Sequence, residues 1–115
     1  MTLSFVHPET RGPARTLALD LQPGLIAAVG EGIIEEAGFA QLDAGLLARV
    51  LPDRVLLPLL SVGHDAMAVV ERLEQLGYRG QITVIAPSLP RARMVEQELQ
   101  ALGPGMRLTL LTPAP

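Results

Sequence analysis

The sequence predicts an α/β domain built on a parallel five-stranded sheet with helices on both faces. Segments of strand character alternate with segments of helical periodicity in the order β-α-β-α-β-α-β-α-β, joined by short Gly- and Pro-marked loops. The middle apolar segments, "RVLLPLL" and "QITVIAPS", run without polar alternation, as strands covered on both faces do. Aromatics make up only 3% of the chain, so the core must be aliphatic, which suits a sheet under helices.

The elements follow in order. Residues 1–13, with Pro8, Gly12 and Pro13, read as a loosely packed arm. "RTLALDL" (Arg15–Leu21) reads as the first strand, closed by Pro23-Gly24. In "GLIAAVGEGIIEEAG", Leu25, Val29, Ile33 and Ala37 recur every four residues beside Ile26 and Ile34, which predicts one helix up to Gly38. Gly30 and Gly32 oppose it, each costing about 1 kcal/mol relative to Ala. "FAQLD" (Phe39–Asp43) reads as the second strand, and Ala44–Leu51 as a helix stopped by Pro52-Asp53.

The third strand is expected over Arg54–Leu57, with Pro58 at its C-terminal end, because proline cannot donate to a central ladder. A helix from Asp65 to Leu76 follows, with Ala66, Val69, Val70, Leu73 and Leu76 inward. Gln81–Ser88 is the fourth strand. Pro90 opens a helix lined by Ala92, Val95, Leu99 and Leu102, and "MRLTLLTP" is the fifth strand. One domain spans residues 1–115.

Composition excludes several function classes. There is no cysteine, hence no disulfide and no thiolate metal site, and His7 and His64 alone cannot form a histidine-rich one. The net charge is −3, and the nine basic residues are all arginine and scattered, which speaks against nucleic-acid and anionic-membrane partners. No apolar run reaches the roughly 18–20 residues of a membrane span. The N-terminus lacks the plan of a signal peptide, so a cytoplasmic protein is expected.

The chain resembles a response-regulator receiver domain over residues of about 15 to 113. The resemblance implies a flavodoxin-like three-layer sandwich with strand order 2-1-3-4-5, here without its last helix, and a bacterial signalling context. "LDLQP" matches the acidic turn after the first strand, with Asp20 at one acidic position and Leu21 at the other. Pro58 stands where receivers carry the phosphoacceptor aspartate. Ala86 stands at the Thr/Ser position and Thr112-Pro113 at the Lys-Pro pair, while "GHDA" (Gly63–Ala66) echoes part of the loop after the third strand. Phosphoryl transfer to a receiver needs a carboxylate nucleophile, oxygen ligands for Mg²⁺ and a lysine. Asp20 offers one ligand, and Leu21 and Pro58 offer none. The expectation is a pseudo-receiver without cofactor or enzymatic activity, which regulates by binding protein partners, itself included.

The other groups have plainer readings. His64-Asp65 lacks the further ligands of a metallohydrolase, and Asp65 is expected to cap the helix it precedes. "GEGIIEEAG" has the wrong spacing for a dinucleotide loop, and Glu35-Glu36 reads as a solvated helix face. Arg91 and Arg93 are expected at the surface in preference to an anion site. The rival function is a small-ligand or nucleotide sensor at the carboxyl rim of the sheet, lined by Asp20, Ser61, His64 and Ser88.

A receiver's fifth helix covers the sheet beside the first helix. The sequence shows no such helix after "MRLTLLTP", so that face needs another cover. Either Leu3, Phe5 and Val6 of the arm supply it or a second copy does. A homodimer through the first helix and fifth strand is the favoured expectation, with Leu108 and Leu110 as candidate interface residues.

Overall fold

The computed structural model describes residues 14–29, 32–61 and 64–113. In chain order the elements are β1 (Arg15–Leu19), α1 (Pro23–Val29), β2 (Ile33–Ala37), α2 (Ala44–Val50), β3 (Arg54–Pro58), β4 (Leu60–Ser61), β5 (His64–Asp65), α3 (Ala66–Gln75), β6 (Gln81–Ile85), α4 (Ala92–Leu102) and β7 (Arg107–Leu111). The sheet runs β2-β1-β3-β6-β7, all parallel. Setting aside the small antiparallel ribbon β4–β5, this is the order 2-1-3-4-5 of a flavodoxin-like sandwich.

The two faces of the sheet carry different cores. Leu17 and Leu19 of β1, Val55 and Leu57 of β3, and Ile82 and Val84 of β6 pack with Leu46 and Val50 of α2, with Val69, Val70 and Leu73 of α3, and with Leu99 of α4. The alternate residues Ala18, Leu56 and Ile85 form a smaller core with Leu21 and Ile26, joined by Leu25 of α1 and Ile34. Each of these large aliphatic side chains contributes about 1.5–3 kcal/mol on full burial. On the α1 side the core thins toward β7, where Thr109 and Leu111 are exposed. The face expected to lack a helix is therefore open at that edge among the described residues. The arm, with Leu3, Phe5, Val6 and His7, lies outside the described residues.

Two of the expected elements are different. Ile33–Ala37 is a strand, not the second half of a helix, and Phe39–Gln41 is a 3-10 turn, not a strand. The four-residue recurrence that suggested one long helix is also an even number, so Ile33, Glu35 and Ala37 share a face of a strand equally well. Gly32 decides between the two readings. Its φ is +71, and a Cβ there would collide with the backbone carbonyl of Ala14, so the chain turns at Gly32 as only glycine can. The β-branched Ile33 and Ile34 then extend. Glu35 and Glu36 are strand residues, not a helix face, and Asp43 caps α2 by accepting from the Leu46 N–H at 2.8 Å.

Smaller differences concern element ends. β1 stops at Leu19 because Asp20 turns with φ +53. β6 stops at Ile85, α4 starts at Ala92 after the Pro90 turn, and β7 occupies Arg107–Leu111. β3 runs one residue longer than expected and includes Pro58.

Candidate functional site

The carboxyl rim of the sheet is where this fold gathers ligands, at the crevice between β1 and β3 where the strand order reverses. The residues singled out by the resemblance to receivers stand along that rim. Asp20 follows β1 in the left-handed region, with its N–H donating to the Ala37 carbonyl at 2.9 Å. Its carboxylate Oδ2 accepts from the Phe39 N–H at 2.8 Å and so anchors the 3-10 turn after β2. A short polar side chain tolerates this backbone state and here also finds a local donor. Leu21, expected at a receiver's second acidic position, is buried in the smaller core with Ala18, Ile26, Leu56 and Ile85. That position packs and offers no ligand to the rim.

Pro58 ends β3 without interrupting it. It pairs with Ile85, and the Leu59 N–H donates to the Ile85 carbonyl at 2.9 Å. Successive strand residues direct their N–H groups to opposite neighbours, so the N–H that Pro58 lacks falls on the β1 side. There the β1–β3 ladder ends at Ala18 and Leu56. The proline is the last residue of β3, half-buried at the switch point, so its missing donor ends the pairing with β1 and does not interrupt a longer ladder. Ala86 is buried, and its N–H donates to the Leu111 carbonyl at 2.9 Å, closing the β6–β7 ladder. Thr112 is exposed just past β7.

After β3 the chain forms the ribbon β4–β5, pairing Leu60 with Asp65 and Ser61 with His64. The side chains of Ser61 and His64, and Gly63 altogether, lie outside what the structure describes. Asp65 is the N-cap of α3, its Oδ1 accepting from the Ala68 N–H at 3.1 Å, as expected. Arg91 occupies the N-cap position of α4 without a side-chain cap bond, and Arg91, Arg93 and Ser88 are exposed. Among the described residues no group of three or more His, Cys, Asp or Glu could hold a metal ion.

Leu108 is buried and Leu110 half-buried in the larger core, on the face that α4 covers. The opposite face of β7 presents Arg107, Thr109 and Leu111, with Thr109 beside Thr83 and Leu111 beside Ile85. Leu60, Met67 and Met94 are exposed, and Met67 and Met94 lie off the inward stripes expected for α3 and α4.

Fold and rim together define a flavodoxin-like α/β domain whose strand ends, among the described residues, carry little polar chemistry. No model of a known protein family matches the chain, and no curated protein matches it. Among the described residues no helix is long and apolar enough to cross a membrane.

Proposed function

We propose that this domain is a receiver-like signalling or regulatory module that acts by binding proteins and is not phosphorylated on aspartate. Pro58 carries the reading. It ends the third sheet strand at the switch point, where a receiver places its phosphoacceptor, and it has neither a nucleophile nor a metal ligand. Two neighbouring features support it. Leu21 is turned into the core, and the Asp20 carboxylate is engaged by the Phe39 N–H.

Incubation with acetyl phosphate and Mg²⁺, followed by intact mass measurement, is the test. No acid-stable or labile adduct is expected. Stoichiometric aspartyl phosphate would overturn the reading. The partner can be a second copy, seated on the α1-side face of β7 where Thr109 and Leu111 are exposed. Light scattering at micromolar concentration reports that assembly.

The rival is a small-ligand sensor at the rim. It draws support from the unpaired stretch between β1 and β3 beyond Ala18 and Leu56, which lies at the fold's usual ligand crevice. A thermal-shift screen against nucleotides and divalent metals separates the two readings. Stabilisation that rises with concentration favours the sensor.

A further inference from the structure

The two edges of the sheet are chemically unequal. β7 and the residue before it direct the backbone groups of residues 106, 108 and 110 outward, because Arg107 donates to the Gly80 carbonyl and Ala86 to the Leu111 carbonyl on the inner side. Side chains of α4 occupy three of those outward groups. Gln100 Oε1 accepts from the Leu108 N–H at 3.0 Å, and Gln100 Nε2 donates to the Met106 carbonyl at 2.7 Å. Glu96 Oε2 accepts from the Leu110 N–H at 2.8 Å. This edge is blocked against a further strand.

β2 is the other edge. Its Ile33 N–H donates to the Ala14 carbonyl and its Ala37 carbonyl accepts from the Asp20 N–H, so residues 33, 35 and 37 face β1. Ile34 and Glu36 therefore direct their N–H and C=O groups outward. Among the described residues no group pairs with them. The Gly38 N–H, next in that outward series, is taken by Gln41 Oε1 at 2.7 Å, which bounds the open stretch.

The charges along β2 select the occupant. Glu35 is held by Arg49 at 3.3 Å on one face. Glu36 is exposed on the other face, beside half-buried Ile34, with no ion pair among the described residues. An antiparallel pairing of two copies centred on β2 would set Glu35 opposite Glu35, and like charges directly opposite destabilise. A strand with a basic residue across from Glu36 and an apolar one across from Ile34 gains a favourable pair at both.

We propose that β2 is a docking edge that takes an extended, basic segment of a partner protein by strand addition. This gives a surface to the protein-binding reading above and rests on it.

The test uses the full chain and two labelled, end-blocked peptides in anisotropy titrations. One is arginine–threonine–valine–threonine–arginine, and the other replaces both arginines with glutamate. The basic peptide is expected to bind at least tenfold more tightly than the acidic one. Glu36→Lys should reverse that preference, with thermal melts showing that the variant remains folded. Methylating the peptide's pairing-side backbone nitrogens should abolish binding, and bound peptide should slow hydrogen exchange at the Ile34 and Glu36 amides.

Equal binding of the two peptides, indifference to Glu36→Lys, or protection mapping elsewhere would overturn the proposal. Two other occupants give their own signatures, and either would overturn it. Binding that appears only after deletion of residues 1–13 would assign the edge to the chain's own N-terminal segment. A concentration-dependent dimer abolished by Glu36→Pro would assign it to a second copy. Failure of the peptide arm leaves the protein-binding reading standing, since that reading is decided by phosphoryl transfer and by complexes at any surface.

Discussion

The side chain of Gln100 stands beside Leu108 as a neighbouring strand would. Its Oε1 accepts the Leu108 N–H at 3.0 Å while its Nε2 donates to the Met106 carbonyl at 2.7 Å. One amide thus reproduces the donor and acceptor pair that an adjacent peptide would offer to this edge. A helix residue satisfies two outward groups of a strand that no other strand covers among the described residues.

Gln100→Ala should therefore destabilise the domain by about 1–3 kcal/mol, the cost of leaving part-buried backbone groups without partners. Urea melts measure the loss. The same variant should associate with itself more readily, since it uncovers an edge. Light scattering of Gln100→Ala indistinguishable from wild type would mean that Glu96 alone keeps the edge closed.

Asp20 combines a left-handed backbone, φ +53, with a 2.8 Å bond to the Phe39 N–H. Asn keeps both features, so Asp20→Asn is expected to change stability by less than about 0.5 kcal/mol. Asp20→Ala loses the bond and strains the turn, at a cost of about 1–3 kcal/mol. Denaturant midpoints of the pair decide. Equal losses in both variants would show that the charge of the carboxylate matters, not its geometry.

Leu57 and Pro58 are neighbours with opposite sensitivities. Leu57 is fully buried in the larger core, and Leu57→Ala should cost about 2–5 kcal/mol. Pro58 is half-buried, and its missing donor falls at the end of the pairing with β1. Pro58→Ala should shift stability by about 1 kcal/mol or less. Melts in the reverse order would mean that the proline ring is a packing element of the rim.

Tyr78 gives the domain an alkaline limit. Its hydroxyl donates to the Gln81 carbonyl at 3.0 Å. Burial first, and then the negative charge of Asp53, push the phenol pKa well above its usual value of 10.0. Above that value the unfolded chain releases the proton while the folded chain keeps it, so the folded state binds more protons there. The stability linked to Tyr78 is fully present below pH 10 and falls as pH rises beyond it. Tyr78→Phe should flatten this fall while costing about 0.5–1.5 kcal/mol at neutral pH. Chemical denaturation of both proteins at a series of pH values checks the slope.

The sequence by itself determined the features that depend on near neighbours. The apolar stripes of α3 and α4 fixed those helices, Asp65 announced its own cap, and Pro58 marked the end of a strand because a proline lacks its donor wherever it sits. The unalternating strands implied a sheet covered on both faces, and strict alternation of elements implied its parallel order.

Tertiary structure alone decided the rest. The four-residue spacing through Ile33 and Ala37 suits a helix and a strand alike, and the contact of Gly32 with Ala14 settled it, across a separation no local pattern reads. Leu108 and Leu110 lie on the α4-covered face and Thr109 and Leu111 on the other, because α4 crosses one side of β7. Gln100 and Glu96 look like solvated helix residues in the sequence. Only the docking of α4 beside β7 brings their polar atoms to the strand's free donors, and only the absence of such an escort among the described residues leaves β2 open. Side-chain capping of an edge joins residues 8 and 14 positions apart, set by packing and not by periodicity.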